Sequence, residues 1–235
     1  MAIVDLDRQQ GFALIAEMTS TRNLLAYGIR AVRTGVFIDT TRDPILTMLS
    51  IGTEKLYKLT LGLIALDREH KWPAKADMKA WGHKLVPMHE AVIDELRTRT
   101  ATKSQYVRDL LAEVDADPVV MPVIDALDMY GRMGRFYYLD QLGDDPQPVS
   151  PVDAWQNIEQ AALTDPTVAS LYQRATENVG DNEAWERFIR VLHDRIALSV
   201  ERIWITIAVC GRNHALGETG GAFGFEVHPD AVGRQ

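Results

Sequence analysis

The chain has 235 residues, 46% of them hydrophobic and 25% charged, enough to bury a core as one large domain or two small ones and too apolar for a fibrous or wholly disordered protein. Thirty-three acidic residues against 25 lysines and arginines give a net charge of −8, so no chain-wide cationic field gathers phosphates and any nucleic-acid contact must be local. Cys210 stands alone and cannot form an intramolecular disulfide. The opening MAIVDLDRQQ carries acids where a secretory signal carries basic and apolar runs, and no stretch reaches the roughly 18 apolar residues of a membrane span. A cytoplasmic protein without membrane contact is the expectation.

Apolar residues recur at three- and four-residue steps along almost the whole chain, which predicts an all-α fold. Leu14, Met18, Thr21, Leu25, Gly28, Val32 and Val36 trace one stripe of a first helix over about residues 8–38, loosened by Gly28 and Gly35. Asp43 before Pro44 predicts the cap and first position of a second helix, running to about Leu66. Asp77 caps a predicted third helix through Trp81, Leu85, Met88, Val92 and Leu96, kinked at Pro87. Two further helices are expected at about 104–114 and 118–142. Residues 143–148, rich in Asp and Pro, form the clearest connector and divide a bundle over 1–142 from C-terminal helices over 151–212. Those helices are predicted at about 151–164 and 166–178, followed by one from Asp181 to Gly211 whose face carries Trp185, Phe188, Leu192, Ile196, Val200, Ile203 and Ile207. The glycine-rich tail over 213–235 lacks an apolar helical stripe and is expected to lie over the surface or to be disordered.

Most reactive residue types have an ordinary structural reading. His83, His89 and Glu90 do not share one helical face and make no metal set, so a helix-capping or partly buried histidine is expected there. Cys210 sits at a helix C-terminus, where the dipole disfavours a thiolate, and is expected in the core. The glycines after Gly217 lack the Gly-Lys-Ser/Thr ending of a phosphate loop. Arg97, Arg99, Lys103 and Arg108, followed in sequence by Arg132 and Arg135 beside Phe136, Tyr137 and Tyr138, interleave cations with aromatics in the way single-stranded RNA would use.

Three short elements occur in a recognisable order: Ile51-Gly52-Thr53-Glu54-Lys55-Leu56-Tyr57-Lys58-Leu59, then Gly82-His83-Lys84-Leu85, then Arg135-Phe136-Tyr137. Over about residues 44–142 this order resembles HEPN domains, helical bundles of prokaryotic defence and toxin systems. The resemblance implies a homodimer and a metal-independent ribonuclease whose site is Arg-x(4–6)-His. Among the histidines only His193 has an arginine at that spacing, Arg187, with Glu183/Arg187 and Glu186/Arg190 readable as one-turn ion pairs. His83 of the Gly-His pair is the other candidate, although Lys84 stands where family members often carry an acid.

The sequence therefore predicts an all-α protein with a HEPN-like core and long N- and C-terminal helices. It predicts RNA binding through Arg97, Arg99, Lys103, Arg108, Arg132, Arg135 and Tyr137, and cleavage through His83, Arg187 and His193, without a cofactor and with nothing that points to DNA. Two alternatives are a non-catalytic dimerisation or interaction protein and a bundle enzyme with a dry pocket at Trp81, Met88 or Tyr137.

Overall fold

Asp7 opens the chain's first helix by accepting from the Gln10 N–H while the Gln10 side chain accepts from its own, a reciprocal cap. The computed structural model describes residues 4–35, 38–178 and 180–233, so Val36 lies outside the described residues. They form eleven α-helices and two 3₁₀ turns, with no strand among the described residues. No helix among them is long and apolar enough to cross a membrane.

Helix α1 (Arg8–Thr34) packs along α2 (Ile38–Glu69), the most extensive pairing in the molecule. Gly28 does not loosen α1: a Cβ there would stand 2.5 Å from Leu49 Cδ2, so its bare backbone lets the two helices approach. The second helix begins before the Asp43-Pro44 pair, and Pro44 lies inside it. A proline so near the start removes one backbone donor, while Ile38, Arg42, Ile45 and Leu46 bury the extra turns.

The predicted third helix is two, α3 (Lys75–Ala80) and α4 (Leu85–Thr100), separated at Gly82 with φ +59°. Asp77 accepts from the Ala74 N–H from inside α3 and does not cap it. Asp128 holds the start of α4 by accepting from the Leu85 N–H at 2.6 Å. Pro87 then falls at the third position of α4, where a missing N–H costs no intrahelical bond.

The helices α5 (Gln105–Ala116) and α6 (Val120–Arg132) follow; Gly134 stops α6, and a 3₁₀ turn leads to α7 (Tyr137–Gln141), where one helix to 142 was predicted. Ser150 and Asp165 cap α8 (Pro151–Ala162) and α9 (Pro166–Glu177), each with proline at its first position. Asp181 caps α10 (Asn182–Arg212), 31 residues long. It packs against α1, α5, α6, α8, α9 and the last helix, while α8 packs on α6 and α2, so segments on both sides of the connector share one core.

The tail is corrected most. Gly217–Val227 is a helix, α11, whose Phe223 and Val227 are buried and which packs on α10, α1 and α2. Gly224 of α11 and Gly211 of α10 bring the two backbones together: a Cβ on Gly211 would stand 2.8 Å from the Gly220 carbonyl oxygen, and one on Gly224 would meet the backbone at Ala208 and Arg212.

Candidate functional site

The first two elements of the resemblance meet. Glu54 lies midway along α2, and the Gly82 turn lays His83 against it, with Nδ1 at 3.0 Å from both carboxylate oxygens. Lys58, one turn on, donates to the same carboxylate at 2.7 Å. The His83 side chain is 63% exposed while Glu54 and Lys58 are each 19% exposed, so a half-buried ion pair anchors an imidazole whose rim faces solvent. With Nδ1 engaged by the carboxylate, Nε2 is the nitrogen left for proton transfer.

Asp128 extends this arrangement. Its carboxylate takes the Leu85 N–H, two residues after His83, and pairs through Oδ2 with Arg132 at 2.5 Å. Beyond Arg132, Arg135 lies over the Phe136 ring at 5.0 Å, and Tyr137 and Tyr138 meet edge to face. Arg132, Met133, Phe136 and Leu139 line a hollow of about 570 Å³ against the 143–148 connector.

No family model, no curated protein and no solved structure matches the chain. The HEPN resemblance thus rests on the three short elements quoted above, and the site is read from its own chemistry.

The other predicted residues are scattered over several elements and are not brought into one site. Arg97 bonds Asp94 at 2.6 Å and Asp115 at 2.7 Å, and Arg99 bonds Asp67 at 2.8 Å and Glu95 at 3.4 Å, so these guanidiniums are occupied by the protein's own acids. Arg108 donates to the Gln105 side chain and the Lys103 carbonyl. Arg187 and His193 are not brought together: Arg187 is exposed on α10, whereas His193 is 3% exposed, and burial holds its pKa below the ordinary value. The arginines that share a hollow with His193 are Arg33 and Arg190. Neither Glu183/Arg187 nor Glu186/Arg190 closes to an ion pair among the described residues, contrary to the one-turn pairing expected. Trp81, Met88 and Tyr137 sit on three separate elements, with Met88 inside the core.

Cys210 is fully buried, which pushes its thiol up to about 12 and removes it as a nucleophile at neutral pH. His89 is buried and bonded to Tyr57 at 2.6 Å. Sequence reading missed that pair and the Asp128 anchor. A single acid among the apolar positions Ile124, Leu127 and Tyr130 of α6 was the signal available for the latter.

Proposed function

We propose that this protein binds single-stranded RNA across the face made by α2, the Gly82 turn and the end of α6, and cleaves it there in a defence or toxin-type role with His83 as the proton-transferring group. The observation that carries the reading is the exposed imidazole fixed by Glu54, on the face that leads through Asp128 to Arg132 and Arg135. His83 would take the proton of a ribose 2′-hydroxyl as that oxygen bonds to the adjacent phosphorus, the P–O5′ bond would break to leave a 2′,3′-cyclic phosphate and a 5′-hydroxyl protonated from water, and a guanidinium would stabilise the charge that develops on the phosphorane. Phe136, Tyr137 and Tyr138 supply rings on which bases can stack.

The test is cleavage of mixed RNA in chelator by the wild-type protein and by His83→Ala, Glu54→Gln and His193→Ala variants. The reading expects His83→Ala to slow cleavage by a factor of about 10²–10⁴, Glu54→Gln to slow it less, and Arg135→Gln to weaken RNA retention. Full cleavage by His83→Ala would overturn the assignment, and a wild-type protein that neither retains nor cleaves RNA would overturn the function.

One observation favours a second reading, a non-catalytic homodimer. Met133, Phe136, Tyr138, Leu139 and Leu142 are exposed together, the last at 86%, around the connector hollow. Asp144 and Asp145, which line the hollow, and Arg135, next to its Phe136, have no ion-pair partner among the described residues, so two copies related by a two-fold axis could match cation to acid. Sedimentation decides it: Leu139→Asp with Leu142→Asp converts a dimer to monomer if this face pairs, and an unchanged sedimentation coefficient excludes it.

A further inference from the structure

Arg174 on α9 and Arg187 and Arg190 on α10 converge on a hollow of about 570 Å³ at the start of α10. Their guanidiniums make no hydrogen bond or ion pair among the described residues, although Asp181, Glu183 and Glu186 line the same hollow. Asp181 is engaged in capping α10 through the Ala184 N–H, which leaves two glutamates beside three uncommitted arginines. Glu186 and Arg190 also line an adjoining hollow of about 420 Å³, whose wall carries Trp185 and His193. Trp185 is 38% exposed and braced edge-on by Phe188 at 5.7 Å and Tyr172 at 6.3 Å, which fixes its ring as a platform.

We infer that these two hollows form one binding site for a nucleoside phosphate, free or as the 5′-terminal nucleotide of an RNA, with phosphate among Arg174, Arg187 and Arg190 and base on Trp185. Guanidiniums suit phosphate because their forked donors match its oxygens, and uncommitted ones break no native ion pair on binding. The indole offers a π-face to any base, and its rigidity lowers the ordering cost. Glu186, shared by both hollows, stands between phosphate and base, where a carboxylate can accept from ribose hydroxyls. The site is separate from the α2–α6 face and does not depend on RNA being bound or cut there.

Calorimetric titration of the intact protein with AMP, adenosine, inorganic phosphate, and 5′-phosphorylated and 5′-hydroxyl oligoribonucleotides tests it. AMP is expected to bind more tightly than adenosine or phosphate alone, and a 5′-phosphate to tighten the oligonucleotide if the terminal nucleotide is a source. Arg187→Gln with Arg190→Gln is expected to weaken AMP by roughly tenfold per arginine. Trp185→Leu weakens it without changing the response to phosphate. All these positions are exposed, and an unchanged far-ultraviolet circular dichroism spectrum checks that the variants fold. Absence of AMP binding at millimolar concentration, equal binding of adenosine or phosphate, or an affinity unchanged in the double-arginine variant would each overturn the site.

Discussion

Tyr57 and His89 show what burial does to two polar side chains that have only each other. Tyr57 is 0% and His89 6% exposed, and their 2.6 Å bond is internal. Burial pushes the phenol up and holds the imidazole down at about 4, a shift that Asp115 opposes and Arg97 reinforces. His89 is therefore neutral at pH 7 and shares one hydrogen bond between its Nδ1 and the Tyr57 phenol. An unfolded chain takes up this proton near the ordinary 6.5, whereas the folded chain resists until about 4. Between those values the unfolded state binds more protons, so stability falls as pH drops through the window and levels off below it. The full window is worth about 3 kcal/mol. Urea unfolding at pH 7.5 and pH 4.5 should show that loss, with a smaller one in His89→Gln; His193, also held low by burial, accounts for part of what remains. An identical loss in wild type and His89→Gln would rule His89 out as its source. Tyr57→Phe leaves the imidazole nitrogen without its partner and should cost about 1–3 kcal/mol at pH 7.

Among the helices, α11 defines how far pattern reading reached. The apolar stripes of α1, α2 and α10 are dense enough that their existence and buried faces follow from residue spacing alone, as Leu192, Ile196, Val200 and Ile203 illustrate. The α11 segment is read wrongly because glycine carries little helical propensity and no hydrophobic signal. Yet Gly217, Gly220, Gly221 and Gly224 fall three, four and seven residues apart, the spacing of one helix face, and the bare backbone at Gly224, against Gly211, is what lets α10 approach. Likewise, the break at Gly82 depends on Asp128, 46 residues later in the chain, which no local pattern reveals. The candidate site was legible only in part for the same reason: Gly-His and Glu54 are visible as residues, but their contact needs the turn that Asp128 holds. A Cβ on Gly224 would collide with the Arg212 amide nitrogen and the Ala208 carbonyl oxygen, which are backbone atoms that cannot step aside. Gly224→Ala should therefore destabilise the protein by about 1–3 kcal/mol or more. Gly143→Ala, whose Cβ would stand 3.5 Å from the nearest atom, should change stability by less than about 0.5 kcal/mol. Chemical denaturation of the pair checks this, and equal effects would mean that the close approach of α10 and α11 is not rigid.

At the scale of the whole chain, the connector at 143–148 raises the question of whether two helical units unfold separately. The packing argues for one. Asp117, in the link between α5 and α6, is 1% exposed in its side chain and is gripped from the far half of the sequence by Arg195 and Arg202 of α10, with the Ser199 hydroxyl donating at 2.8 Å. On a neighbouring face of α10, Arg33 of α1 holds Glu201 through two bonds and Asp194 through a third. Burial alone would raise the Asp117 pKa, but the Arg195 guanidinium, the Val119 N–H and Ser199 outweigh it and hold the carboxyl below its ordinary value. Its contribution is therefore present above the usual carboxylate range and lost as pH falls through it. Removing one partner from a buried ion pair strands the other charges, so Asp117→Ala should cost about 3–5 kcal/mol. Because both halves line one core, that cost should move a single transition to lower temperature, with calorimetric and van't Hoff enthalpies still equal. A second transition appearing in the variant, or two already present in the wild type, would mean that the halves are coupled more weakly than these ion pairs require.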